Sequence, residues 1–171
     1  MWIKIFKVLL AIAIIYLGIY FLKVSSVIKT QDHISRMFFP NEHYVGKMVS
    51  AELTPVENDH TSYRVLFIFK LTFYRVREFD NLLVVDVNGS IPGGNLGWKD
   101  TYEGYYTYLK KIPRYKRVVR KLNVPSDTYV LVITERVNRG IVSGIKITAY
   151  ILIILGIYLI YDLTLRRVVR L

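Results

Sequence analysis

The sequence contains no cysteine, and it has only five prolines and ten glycines in 171 residues. Without thiols the chain can form no disulfide, zinc–thiolate site, iron–sulfur cluster or cysteine nucleophile. Acidic side chains are also scarce, because 13 Asp and Glu stand against 24 Lys and Arg, giving a formal net charge of +11. The missing thiols and the frequent Ile, Tyr, Val and Lys favour a prokaryotic chain.

Short motifs of common catalytic sites are absent as well. The sequence has no GxSxG, no HExxH and no P-loop. The glycine-rich residues 92–97 lack the lysine of a phosphate-binding loop and are better explained by a turn that needs positive φ. We therefore expect a protein that is not an enzyme and that binds no cofactor.

Long apolar runs occur at both ends of the chain. About 20 apolar residues suffice to cross a bilayer, and residues 2–22 and 144–165 each meet that length. We predict transmembrane helices at residues 1–23 and 144–165, followed by a basic tail at 166–171. A cleaved signal peptide is the alternative for the first run, although Lys23 lies inside the candidate cleavage site.

The charges of the two short tails predict an orientation. Positive side chains near membrane spans favour the cytoplasmic side, and the tails contain Lys4, Lys7, Arg166, Arg167 and Arg170. We expect a multi-pass protein of the cell membrane with both termini in the cytoplasm and the domain outside. Basic residues that follow the first span weaken this asymmetry.

Small residues recur at matched depth in the two predicted spans. In an antiparallel hairpin, facing positions have a constant sum, and this relation pairs Ala11 with Gly156 and Gly18 with Ala149. Small side chains let membrane helices approach closely. The same register puts Lys7 near Asp162, so these two residues form a predicted intramembrane pair. Asp162 with Arg166, one turn later, is an equally good alternative.

The middle of the chain predicts one β-rich domain. Residues 24–43 fit a stalk or linker, and residues 44–143 fit a folded domain. Apolar side chains alternate with a period of two, the pattern of β-strands, in residues 45–53, 63–73, 82–87 and 129–137. We predict a mainly antiparallel, sandwich-like domain.

A helical insertion is predicted over residues of about 100–122. Apolar positions recur at helical spacing, at Tyr102, Tyr105, Tyr106, Leu109 and Ile112. Asp100 and Glu103 have the spacing of a capping box, and Pro113 ends the pattern. Residues 115–122 then fit a second short helix or a strand.

A dense basic cluster lies in and after this insertion. Together with neighbouring aromatic residues it predicts contact with a partner or with lipid headgroups, at Trp98, Tyr102, Tyr105, Tyr106, Lys110, Lys111, Arg114, Lys116, Arg117, Arg120 and Lys121. A solvated helix face explains the same charges. Nucleic acid is not expected, since the predicted orientation puts the cluster outside the cytoplasm.

The three histidines each follow an acidic residue. Imidazole and carboxylate are metal ligands once thiolates are excluded. However, His33, His43 and His60 match no local metal-binding spacing, and adjacent residues on a strand point to opposite faces. Surface histidines are the default interpretation, and no metal site is predicted from them.

These observations predict a non-enzymatic accessory or scaffold subunit of a larger membrane assembly. Its expected partners are membrane lipid and other membrane protein subunits, and no small-molecule substrate can be identified. Two alternatives stay open. One is a module that binds or senses an envelope ligand through the Tyr-rich and basic insertion, and the other is a histidine-based metal-binding or metal-delivery protein.

Overall fold

The computed structural model describes residues 2–28, 34–91, 96–135, 137 and 139–168. The chain divides into two compact units. One consists of Met1–Ser25 with Gly140–Leu171, and the other is Ser26–Arg139.

The first unit is a pair of long apolar helices, α1 (Trp2–Val27) and α3 (Arg139–Val168). Segments Ile5–Val27 and Gly140–Leu163 have the length and composition needed to cross a membrane. Only 11% and 17% of their most apolar windows are buried inside the protein, so most of their apolar side chains point outward. Both helices begin or end beyond the predicted spans of 1–23 and 144–165.

The second unit is built on one mixed sheet of seven strands, in the order β1-β2-β6-β7-β5-β4-β3. Its strands are β1 (Ile34–Arg36), β2 (Met48–Leu53), β3 (Pro55–Val65), β4 (Phe69–Val76), β5 (Leu82–Val87), β6 (Asp100–Tyr108) and β7 (Tyr129–Ile133). Four of the six pairings are antiparallel, while β1–β2 and β5–β7 are parallel. The domain is thus mainly antiparallel, but the expected sandwich is wrong, because these strands form a single sheet.

One residue, Thr54, separates β2 from β3, and β1 and β3 are the two edge strands of the sheet. The Arg77 amide donates to Thr54 O over 3.1 Å, and the Gly97 amide donates to Pro55 O over 2.8 Å.

Both faces of the sheet are buried. On one face, strands from β2 to β7 contribute a cluster that includes Leu53, Tyr106 and Leu131. On the other face, Phe73 and Val85 are fully buried. Strand β5 is buried along its whole length, which explains its nearly continuous apolar sequence. Its bounds are those of the strand predicted at 82–87.

The predicted helix over residues 102–112 is wrong, since residues 100–108 form β6. Tyrosine and threonine favour strands, and the run contains both, so the helical spacing of the tyrosines was coincidental. Gly104 is required because β6 and β7 approach each other closely at this position. A Cβ added to it would lie 2.5 Å from Val132 O on β7, which no other residue could tolerate without movement of the strand.

The predicted strand over 63–73 is instead a hairpin, in which β3 and β4 are joined by the β3–β4 loop (residues 66–68). Val65 pairs with Phe69 and Tyr63 with Leu71. Because the loop has three residues, odd-numbered side chains stay on one face on both sides of it, and the alternation continues through the turn.

Three further boundaries differ from the sequence-based expectation. The region of the expected stalk, residues 24–43, contains the end of α1 and the strand β1, and a 3₁₀ turn follows at Glu42–Tyr44. The last strand stops at Ile133 instead of residue 137. After β6, a 3₁₀ turn at Leu109–Lys111 leads to the short helix α2 (Tyr115–Leu122), so the predicted insertion is helical only in its second half.

Candidate functional site

A surface made of the 3₁₀ turn and α2 carries a dense positive charge, and we call it the basic face. All of its basic side chains are exposed. They are Lys110, Lys111, Arg114, Lys116, Arg117, Arg120 and Lys121. The sequence from residue 104 to residue 126 contains no Asp or Glu, so this segment supplies no acid that could neutralise the surface.

The basic face is fixed to the sheet by its apolar side and its ends. Val118 and Leu122 of α2 are buried. The Tyr63 hydroxyl on β3 donates to Pro113 O over 2.5 Å, just before α2 begins, and the Arg75 guanidinium on β4 donates to Leu122 O at its end. The helix is therefore held along the β3–β4 hairpin with its charged side outward.

The tyrosines predicted to share this surface lie in the core instead. Tyr102, Tyr105 and Tyr106 are 5%, 7% and 0% exposed, so they cannot contact a partner. Burial raises the pKa of Tyr102 to about 12. Tyr108 is the tyrosine that reaches the basic face, where the ammonium groups of Lys110 and Lys111 lie 4.8 and 5.8 Å from its ring centre.

Trp98 lies in a different group of charged residues. It is 73% exposed, and the ammonium group of the next residue, Lys99, is 3.1 Å from a Glu52 carboxylate oxygen. The Arg36 guanidinium approaches the same carboxylate at 3.0 Å. Hydrogen bonding and charge from Lys99, with a further contribution from Arg36, lower the pKa of Glu52.

A cleft of about 600 Å³ opens beside the basic face. Its lining combines carboxylates, an ammonium group and aromatic rings, from Asp80, Asn81, Tyr108, Lys110, Pro125, Asp127, Thr128 and Tyr129. The Tyr108 hydroxyl donates to Glu42 Oε1 over 2.9 Å, and this bond is the main cause that raises the Tyr108 pKa to about 12. Such a lining could hold a small polar molecule.

The histidines do not assemble a metal site in the part of the chain that the structure describes. His43 Nε2 lies 3.2 Å from the Lys47 ammonium, and His60 Nδ1 lies 2.7 Å from Glu57 O. No group of three or more potential ligands occurs among the described residues. His33 lies outside them.

In the helical unit, the four small residues lie where α1 and α3 touch. A Cβ on Gly18 would be 2.9 Å from Ala149 O, and a Cβ on Gly156 would be 3.0 Å from Ala11 O. Ala11 and Ala149 are fully buried. These contacts follow the constant-sum register. The Lys7–Asp162 pair stays a prediction, while the side chains of Lys4 and Arg166 and all of Arg170 lie outside the described residues.

The exposed β3–β4 loop was not predicted from the sequence. Its residues Leu66, Phe67 and Ile68 are all apolar, whereas glycine, asparagine or proline usually mark a turn. Phe67 is 93% exposed and Ile68 is 52% exposed. The one available signal was the length of the alternating run, which exceeds the usual five or six residues of a strand.

Comparisons with known proteins found no matching family model, no matching curated protein and no matching solved structure. A fold by itself does not identify a function, whereas the surfaces described above point to possible partners.

Proposed function

We propose that this chain is a two-span membrane protein in which a helical hairpin anchors the sheet domain to a bilayer. The observation that carries the proposal is the arrangement of α1 and α3. Small residues form their contact, and large apolar side chains such as Phe6, Tyr16 and Ile154 remain exposed. In water this arrangement would expose apolar surface at high cost, whereas in lipid it is favourable.

The lengths of the helices support the same proposal. The candidate segments have 23 and 24 residues, or about 35 Å at 1.5 Å per residue, against about 30 Å of hydrocarbon. The basic tails favour a cytoplasmic location for both termini, so the sheet domain is extracytoplasmic in this proposal.

We propose further that the protein is a non-enzymatic accessory or scaffold subunit that docks through the basic face. Seven exposed cations on a segment held rigidly at both ends form a surface suited to an acidic partner or to anionic lipid. The alternative of a ligand-binding module loses its tyrosine platform, because Tyr102, Tyr105 and Tyr106 are buried. The cleft next to Tyr108 keeps that alternative as the second candidate.

Native purification tests the subunit proposal. The full chain is purified in mild detergent from its own membranes, and its assembly size is compared with that of Arg114→Gln/Arg117→Gln/Arg120→Gln. We expect a larger assembly that the triple variant loses. The matched control is Arg36→Gln/Lys47→Gln/Lys99→Gln, which removes the same charge from exposed positions elsewhere. Equal assembly by all three proteins, or none by any, would refute docking of a partner subunit through the basic face.

A further inference from the structure

The β3–β4 loop combines three features that each oppose folding. Leu66 and Phe67 have φ angles of 54° and 59°, a conformation that bulky side chains rarely adopt. Phe67 and Ile68 expose apolar surface to solvent. Arg64 and Lys70 are both exposed and sit directly opposite each other across the hairpin, where like charges repel. Such departures from local rules concentrate at functional sites.

The β3–β4 loop lies at the end of the hairpin that holds the basic face. Tyr63, which bonds Pro113 at the start of α2, lies three residues before Leu66. The two segments that pack together here, residues 60–77 and 104–126, contain eleven basic and no acidic side chains. One of the eleven, Arg75, is paired with Asp59 at 2.9 Å from the adjoining part of β3. Because neighbouring side chains on a strand point to opposite faces, Arg64 and Lys70 lie on the other side of the hairpin from Tyr63 and the basic face. The apolar tip therefore has cations on both sides of the hairpin.

We propose that the β3–β4 loop inserts Phe67 and Ile68 into the interface of an anionic bilayer while Arg64, Lys70 and the basic face bind lipid phosphates. This inference rests on the proposed membrane anchoring. Charge complementarity identifies the occupant, since anionic leaflets attract clusters of Lys and Arg. An acidic protein would match the charges as well. However, an apolar tip with cations on both sides of the hairpin matches a bilayer interface, in which hydrocarbon lies beneath a layer of phosphates.

Nitroxide labelling of the full chain tests this, because the sequence has no cysteine to remove. The variant Phe67→Cys is labelled and reconstituted into nanodiscs of phosphatidylcholine, with or without phosphatidylglycerol. Collisions of the label with oxygen, which partitions into lipid, are compared with collisions with a water-soluble nickel chelate. Two further sites serve as references, Ile12→Cys on the exposed side of α1 and Glu57→Cys on the exposed part of β3.

We expect the label at position 67 to be at least about threefold more accessible to oxygen relative to nickel in anionic discs than the label at position 57, as for a side chain buried in the headgroup boundary. The preference should fall in discs of phosphatidylcholine alone. It should also fall in the background Arg114→Gln/Arg117→Gln/Arg120→Gln, and with added salt, because screening shortens the reach of charges.

Three results would overturn the inference, and they differ in what they mean. A lipid-exposed label at position 12 with a water-exposed label at position 67 refutes loop insertion and leaves the anchor intact. A water-exposed label at position 12 refutes the anchor itself. A label at position 67 that is shielded from both oxygen and nickel indicates a protein partner in place of lipid.

Discussion

The helical unit and the sheet domain differ in the side chains that form their contacts. Ala11, Gly18, Ala149 and Gly156 are buried where α1 contacts α3, and many large apolar side chains of both helices are exposed. In the sheet domain, large side chains such as Phe73 and Tyr106 are fully buried, and the outer surface of α2 is charged. The two regions therefore follow different packing rules, as expected if one region lies in lipid and the other in water.

The comparison predicts that truncating a large side chain lowers the free energy of unfolding in the sheet domain but not in the helices α1 and α3. Phe73 is fully buried and stacks on Tyr63 with ring centres 5.4 Å apart. Phe73→Ala should lower the free energy of unfolding by about 4 kcal/mol, measured by denaturant titration in mild detergent. Ile12→Ala removes an exposed side chain of α1 and should change it little. Comparable losses in both variants would contradict the division.

Replacing a small residue by a large one should weaken the contact between α1 and α3. Gly156→Leu and Gly18→Leu place bulky groups against backbone atoms of the facing helix. We expect the helix–helix association to lose about 1–2 kcal/mol, read as reduced cross-linking between cysteines introduced in the two spans. The control is Ile154→Leu, at a position 66% exposed. Full cross-linking by the glycine variants would show that the close approach is unnecessary.

Residues that favour a tight turn should stabilise the β3–β4 loop. Asn and Gly adopt positive φ readily, so Leu66→Asn/Phe67→Gly should raise the stability of the domain by about 1 kcal/mol. Thermal unfolding of the full chain in detergent measures this. Asn88→Ala is a control that should lower the stability. Asn88 also has positive φ, at 58°, and its side chain accepts a hydrogen bond from the Lys70 amide. A loss of stability on placing Asn and Gly in the loop would mean that the apolar residues are structural.

A smaller effect is expected at Thr54, between β2 and β3. The Thr54 amide and hydroxyl donate to the Glu78 carboxylate over 2.9 and 2.6 Å. Burial raises the Glu78 pKa, but the hydrogen bonds from Thr54, together with the Glu78 backbone amide and the charge of Lys99, outweigh it, so the pKa lies below its ordinary value of 4.5. The carboxylate therefore stabilises the fold fully above that ordinary value, and the contribution is lost as pH falls through the lowered pKa.

Glu78→Gln should accordingly cost about 1 kcal/mol near pH 7 and flatten the acid limb of the stability profile. Unfolding measured from pH 7 to pH 3 gives both quantities. Glu57→Gln, which changes an exposed carboxylate on the same sheet, is the control. A stability profile of Glu78→Gln identical to that of the unchanged protein would show that the Thr54–Glu78 hydrogen bonds do not stabilise the fold.

The sequence-based prediction was correct for regions whose side-chain pattern fits only one kind of structure. The long apolar helices and β5 follow from uninterrupted apolar runs, and the small residues of the hairpin follow from their spacing. The prediction failed where a pattern fits two kinds of structure. The tyrosines of residues 102–106 fit a helix by spacing, yet tertiary pairing with β2 and β7 made them a strand. The hairpin at 66–68 was missed because its turn residues have no turn propensity.

The candidate site divides in the same way. The exposure of the seven cations could be predicted from their density, since unpaired Lys and Arg are rarely buried. The burial of Tyr102, Tyr105 and Tyr106 could not, because it depends on which strands flank β6. The approach of α2 to the β3–β4 hairpin depends on long-range contacts such as the bond from Tyr63 to Pro113, fifty residues apart, which no local pattern encodes.

Cysteine accessibility tests the central claim, that a two-span hairpin anchors the domain to a bilayer. Single cysteines are introduced at Glu57 in the sheet domain and at Leu171 in the tail, and a membrane-impermeant thiol reagent is applied to intact cells and then to opened membranes. The account predicts that position 57 labels in intact cells and position 171 only after opening. Labelling of both positions from the same side would contradict the two-span anchor.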